Sequence, residues 1–423
     1  MRNEFPIICT APFTSLVIGP NQTIRPCCEF LEDVGKLNQQ TITEILSSDK
    51  VKILQEQMFT STWPSGCKSC KSHEYKTGTS LRHSYMPLDS RIYSKINSVT
   101  ENFGCRYFNE WNKGITSLEI SSSNICNLSC AGCNTRFSSS WNKYSKVIEK
   151  NEDTKFYREA IGENPIVNPN NDLLLKNLSQ LDLSYLKRVN IKGGEPMLNT
   201  DVLVALRYFN EIGIIHNLSI HMDTGGSIII DNNIEELIQL LSKTKKVMFS
   251  ISIDGPEEVN TYIRYSPKML ASFDNICNFI NMFEMSNIQF NIAPTIMVYN
   301  IFSLDKLAEW WLYDMMPNYK NVNAEIWLYN YVVNPTYLSL SALQPSTINK
   351  LIDYYKKIVI EKEYGNIFAN TIEVLKTTEY GGNILHNQMV KYTNDMDKLK
   401  GQNILNAVPD LKNEMIYLNK VDK

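Results

Sequence analysis

Residues 115–133 read ITSLEISSSNICNLSCAGC: a short β-type run, a polar loop, then three cysteines at C-x3-C-x2-C spacing. The run Ile115–Ser121 is rich in β-branched residues and predicts a strand. The same pattern recurs downstream. Arg188–Lys192 (RVNIK) ends in Gly193-Gly194-Glu195-Pro196, Leu218–Met222 in Asp223-Thr224-Gly225-Gly226-Ser227, and Lys246–Ile253 in Asp254-Gly255-Pro256. Ile288–Val298 and Ala324–Tyr331 supply a fifth and a sixth strand, with helical stretches such as Asn233–Leu241 and Ser272–Met285 between strands. This alternation predicts an α/β fold with a parallel sheet. Six units fall short of the usual closed eight-fold barrel, so a partial (β/α)6 TIM-type barrel is expected. In such folds the working site lies beyond the carboxyl ends of the strands, where the four loops converge.

Outside the repeat the texture changes. Residues 1–112 read as a small cysteine-rich β-hairpin module, 113–335 as the partial barrel and 336–423 as a helical C-terminal extension (Ser346–Lys362, Thr371–Thr378, Leu385–Lys398). Residues 151–186 form an insertion rich in Asn, Asp and Leu, and Trp141–Lys150 reads as a polar helix. Lys391–Lys400 mixes Lys with Asp and reads as an exposed face, while the aromatic stretch Trp310-Trp311-Leu312-Tyr313 reads as core.

At 423 residues the chain is long enough for two to three domains, and 43% hydrophobic with 21% charged residues is ordinary for a globular protein. Lys and Arg number 42 against 45 Asp and Glu, a net −3 that supports no broad nucleic-acid or anionic-membrane footprint. No apolar run is long enough to span a bilayer. Met1–Phe13 (MRNEFPIICTAPF) lacks the basic-then-apolar layout of a signal peptide, so a cytoplasmic location is expected.

Ten cysteines stand at 9, 27, 28, 67, 70, 105, 126, 130, 133 and 277. In a reducing compartment such close spacings read as metal ligation or catalysis. Cys126, Cys130 and Cys133 span one face of an iron–sulfur cube and leave a corner open; a zinc site borrowing a fourth ligand has the same spacing. Near the N-terminus, Ile18–Cys28 (IGPNQTIRPCC) reads as a hairpin. With Cys9 before it and Cys67-Lys68-Ser69-Cys70 later, it gives the four-fold set Cys9, Cys27, Cys67 and Cys70, for zinc or iron–sulfur alike. Cys28 rivals Cys27, since adjacent thiolates seldom bind one cluster. Cys277 reads as a core thiol, Cys105 as inert or as a hydrogen-atom donor, and His73, Glu74 and Arg82 as a polar turn beside the C-x2-C.

These motifs, in this order and strand context, resemble the radical S-adenosylmethionine (SAM) superfamily across residues 115–300. The resemblance implies a [4Fe–4S] cluster on the catalytic triplet Cys126, Cys130 and Cys133, with SAM chelated at its open iron. It implies that Gly193, Gly194, Glu195 and Pro196 meet the methionine amino group, and that Ser250, Ser252 and Asp254 hold ribose or carboxylate. Arg264 would lie near the SAM carboxylate, while Thr224 and Ser227 occupy a looser version of the third-strand loop. Gly132 replaces the aromatic residue usual before the third cysteine, leaving Phe137 or Asn134 for the adenine. The implied chemistry is one-electron cleavage of SAM to a 5′-deoxyadenosyl radical, which takes hydrogen from a substrate.

The N-terminal set resembles the SPASM and shorter twitch modules, the lone C-x2-C favouring twitch. Gln22 stands where their signature glycine would be, and the module precedes the barrel instead of following it. An auxiliary [4Fe–4S] cluster there would accept an electron from the substrate. The resemblance implies oxidation or modification of a peptide or protein, or else of a small molecule such as an amino sugar or nucleotide, fed by a flavodoxin- or ferredoxin-type electron donor. A zinc-stabilised binding protein without catalysis is the third class.

Overall fold

The computed structural model describes residues 9–59, 62–85, 114–162, 165–168, 170–227 and 233–419. Contacts divide the chain into two units: Met1–Ile125, Ile166–Met222 and Asp231–Val247 in the first, and Cys126–Pro165, Asp223–Ile230 and Met248–Lys423 in the second. These divisions differ from the expected boundaries at 112/113 and 335/336.

In the first unit, β1 (Ser15–Ile18) turns through a 3-10 segment at Pro20–Gln22 into β2 (Thr23–Arg25), which also pairs with β3 (Gly35–Lys36). Both pairings are antiparallel. The turn drives Asn21 to φ 59° and Gln22 to φ 62°, a left-handed region that suits glycine or asparagine better than glutamine. β4 (Ser117–Ile120), β5 (Arg188–Ile191) and β6 (Ser219–Thr224) form where their sequences predict, β5 parallel to both neighbours. β1 lies parallel to β4, with Ser15 opposite Ser117 and Ile18 opposite Ile120. The hairpin is therefore part of the parallel sheet. A four-residue strand carries too little pattern to announce a partner a hundred residues away, which is why the expected module boundary is not where the contacts divide.

Register explains the sheet's two faces. Leu16, Leu118, Val189 and Ile220 stand in one row and Ile18, Ile120, Ile191 and Met222 in another, all 2% exposed or less. Each such side chain contributes roughly 1.5–3 kcal/mol through burial. Helices Thr200–Glu211 and Ile234–Ser242 bury Leu206, Phe209, Leu240 and Leu241 within the same unit. The intervening row runs Val17, Glu119, Asn190 and His221 and is polar beyond Val17.

β7 (Lys246–Ile251) begins in the first unit, where Lys245 N donates to Leu218 O, and ends in the second, where Ser252 N donates to Thr224 O. Within the second unit, Ala293 N donates to Ile251 O beyond β8 (Ile288–Ile292), and β8 pairs parallel with β9 (Val322–Ile326). Within each unit the described pairs β4–β5, β5–β6 and β8–β9 are parallel and follow chain order, as the sequence predicts. Helices Pro345–Glu361, Ala369–Thr377 and Gly382–Lys400 form close to their predicted spans. The second unit's core is rich in tyrosine: Tyr157, Tyr299, Tyr355 and Tyr392 are each at most 1% exposed. The polar helix expected over Trp141–Lys150 shrinks to Asn142–Ser145, and Trp141 before it is fully buried. Among the described residues no helix is long and apolar enough to cross a membrane.

Candidate metal centres

Four N-terminal thiols bound one cavity. Cys9 precedes the short helix Ala11–Thr14, Cys27 follows β2, Cys67 immediately precedes helix Lys68–Thr77, and Cys70 lies in that helix's first turn. All four line an apolar hollow together with Phe30, Trp63 and Tyr85. Two contacts bring the distant cysteines together. Leu31 N donates to Gly66 O at 3.0 Å. A Cβ on Gly66 would stand 2.4 Å from the Phe30 ring, so only glycine permits this approach. Burial pushes the Cys9 and Cys67 thiols up to about 12, and burial followed by Cys9 raises Cys27. Cys28 does not line the hollow; burial and then Glu119 push it up to about 11, with Lys192 opposing. Arg82 lines the hollow but is engaged by Glu74, Nη2 to Oε2 at 2.7 Å.

The triplet occupies an irregular loop of the second unit, and side chains from remote segments satisfy its backbone. Ser140 Oγ donates to Cys126 O at 2.8 Å, Ser138 Oγ to Leu128 O at 2.6 Å and Trp141 Nε1 to Cys130 O at 3.1 Å. Tyr392 OH donates to Ala131 O at 2.8 Å and Lys400 Nζ to Ser129 O at 2.7 Å. The amides of Ser129 and Ala131 donate to Tyr265 O and Ile263 O at 2.9 and 2.8 Å. A loop without ladder partners needs such donors and acceptors to be buried at all. Leu128 N points at Cys126 Sγ at 3.5 Å and Arg264 Nη1 at Cys130 Sγ at 3.8 Å. Burial raises the Cys130 thiol, against Arg264, and takes Cys133 up to about 12. Among the described residues no three His, Cys, Asp or Glu side chains are gathered closely enough to hold a single metal ion.

In the first unit, the Gly193–Pro196 loop packs on the segment that leads into Cys126. Gly193 and Gly194 adopt φ 85° and 54°, and a Cβ on Gly194 would lie 2.1 Å from Ile125 O. Glu195 N donates to Ile125 O at 2.8 Å, and the buried Glu195 carboxylate accepts from Met197 N at 3.3 Å. Asn199 Nδ2 reaches Gly193 O and Glu195 O at 3.2 and 3.0 Å, a clamp the sequence reading missed.

Other expected cofactor residues have partners within the protein. Arg264 Nε pairs with Asp254 Oδ2 at 2.8 Å, and Asp254 Oδ1 accepts from Thr295 N at 2.7 Å. Ser250 Oγ donates to buried Asn291 Oδ1 at 3.0 Å, Thr224 Oγ1 accepts from Gly226 N at 3.1 Å, and Ser227 Oγ donates to Asn127 Oδ1 at 3.1 Å. Ser252, just past β7, is half-buried. Phe137 is 45% exposed under Arg136, and a Cβ on Gly132 would meet Met297 alone, at 3.5 Å. Cys277 is half-buried against Met315, Trp311 is fully buried, and Cys105 lies outside the described residues. Lys391–Lys400 is not the exposed face expected of it. Lys400 is 8% exposed because its stem and ammonium sit among aromatic rings. Its i−4 partner position offers no local signal; only Gly401, left-handed at φ 66°, marks the helix end.

Residues 9–71 match the SPASM family, an iron–sulfur cluster-binding domain, and the match opens on Cys9 and closes just past Cys70. No curated protein sequence matches the chain. Among solved structures, native anSMEcpe with AdoMet and a peptide bound is similar at 18% identity, covering 63% of this chain and 68% of that one, with a TM-score of 0.38. SuiB from Streptococcus suis is similar at 13% identity, covering 69% and 61%, with a TM-score of 0.32.

Proposed function

We propose that this chain is a radical SAM enzyme carrying an auxiliary cluster. One observation carries the reading: the stretch that matches an iron–sulfur domain brings its four spaced thiols to one apolar cavity. The three-thiol loop after β4 and the glycine loop after β5 add the second half. Cys126, Cys130 and Cys133 would hold a [4Fe–4S] cluster with one open iron, and Cys9, Cys27, Cys67 and Cys70 a fully ligated one. Cys27 is the ligand of the adjacent pair, since it lines the cavity and Cys28 does not. Held by Cys126, Cys130 and Cys133, the open-corner cluster would supply the electron for reductive cleavage of SAM and so a radical able to take hydrogen from carbon.

The chain's own residues position and exclude. Gly193 and Gly194 leave room for close backbone approach, and buried Glu195 presents a carboxylate suited to an ammonium group. The Arg264–Asp254 pair sets the charge at Cys130 rather than offering a free guanidinium, so Arg264 would meet a carboxylate only by exchanging partners. The substrate is a peptide or protein side chain, as the sequence resemblance implies, and a soluble flavodoxin- or ferredoxin-type protein delivers the electron.

Anaerobic purification with iron and sulfide analysis tests this. About eight iron per chain, with SAM-dependent spectra and 5′-deoxyadenosine release, is the expected outcome. Colourless protein with stoichiometric zinc overturns it in favour of a binding protein. Turnover with an amino sugar or nucleotide and none with peptides moves the substrate to the small-molecule class.

A further inference from the structure

Helix Gly382–Lys400 ends in a buried cation. Lys400 Nζ donates to Ser129 O at 2.7 Å and lies 4.3 Å from the Trp141 ring centroid, with Tyr265 at 5.3 Å and Tyr144 at 5.7 Å. Among the described residues no carboxylate stands in ion-pair contact with it. Asp397, one turn back, is engaged elsewhere: Oδ1 accepts from Tyr262 OH at 2.8 Å and Oδ2 from Ile404 N at 2.9 Å. Arg264 differs, being neutralised by Asp254.

Taking an ammonium out of water costs several kcal/mol unless an anion answers it. One carbonyl and three ring faces return only part of that, about 2 kcal/mol for a desolvated cation–π contact. Asp397 attracts the ammonium without an ion-pair contact and Lys143 repels it, while Cys130 and Cys133 are the sulfurs placed to answer its charge more closely. Burial, reinforced by Lys143, takes Lys400 down to about 7 against the upward pull of Cys130, Cys133 and Asp397.

On the radical SAM reading above, we infer that Lys400 is a positioning residue for an anionic cluster on Cys126, Cys130 and Cys133. Its Nζ holds the loop through Ser129 O, and its charge stabilises the cluster's reduced form. Reduction adds one electron and so one negative charge. A fixed cation in a low-dielectric surround favours that state and raises the potential.

The test is an EPR-monitored redox titration of the reconstituted full chain, following the signal that changes on SAM addition. Lys400→Gln keeps a donor for Ser129 O but removes the charge. It is expected to lower the reduced-to-oxidised ratio at fixed potential about tenfold, which is 59 mV for a one-electron couple. Lys400→Arg and Tyr392→Phe, which loses the bond to Ala131 O and no charge, are each expected to stay within about threefold of wild type. An unmoved midpoint in Lys400→Gln with iron retained overturns the inference, as does an equal displacement in Tyr392→Phe. If Lys400→Gln loses its iron, Lys400→Arg decides: normal iron and midpoint support the charge role, and iron loss in both refutes it. A wild-type protein with no SAM-responsive cluster sinks the radical SAM reading instead.

Discussion

The two thiol sets face opposite electrostatic surroundings. Around the quartet the hollow is apolar, and its one lining cation, Arg82, is engaged by Glu74. Around the triplet Arg264 is likewise matched by Asp254, but Lys400 is left over. Backbone support differs as well. The quartet hangs on regular elements and a glycine contact, whereas the triplet loop borrows donors from residues as far away as Tyr392 and Lys400. The triplet loop has no regular structure of its own, and those remote donors fix it.

The sharpest way to break this comparison is to remove one thiol from each side. Cys130→Ala should reduce 5′-deoxyadenosine formation to background, read by chromatography after anaerobic incubation with SAM and reductant. Cys67→Ala should keep that cleavage while stopping product formation and losing about four of eight iron. Equal loss of both activities in the two variants would erase the division of labour.

Within the quartet, Cys27→Ala should lose the auxiliary iron and Cys28→Ala should retain it, because only Cys27 lines the cavity. Iron analysis of the two proteins reads this directly, and the reverse pattern reassigns the ligand.

Smaller effects sharpen the backbone side. Gly194→Ala sets a Cβ 2.1 Å from Ile125 O at φ 54°. It should cost about 2 kcal/mol or more in denaturant unfolding, since left-handed backbone alone costs an alanine about 1–2 kcal/mol. Gln22→Gly should instead stabilise the quartet side. It relieves φ 62° and removes a buried Oε1 that lacks a hydrogen-bond partner. Offset by the entropy of a new glycine, the gain is about 0.5–1 kcal/mol. A loss of stability at Gln22→Gly would mean that the side chain, not the backbone, holds this turn.

Much was legible along the chain. Six strands, three C-terminal helices and the loops that end the strands follow from period and punctuation, which act over a few residues. Gln22 was readable as a misplaced glycine, and its left-handed backbone gives the physical reason. What could not be read was pairing at a distance. Nothing local announces that Ser15 meets Ser117, that Ser250 faces Asn291, or that Arg264 is matched by Asp254. Lys391–Lys400 misled for the same reason: its charges pattern like a solvated helix, and the rings that enclose Lys400 come from residues 141, 144 and 265.

The amino-acid order alone determined which elements form and which thiols stand close along the chain, because helix, strand and turn preferences are settled within a few bonds. Tertiary structure decided which thiols share a cavity and which charges are cancelled. Those outcomes depend on burial and distance in space, and a chain brings remote residues together only when it folds.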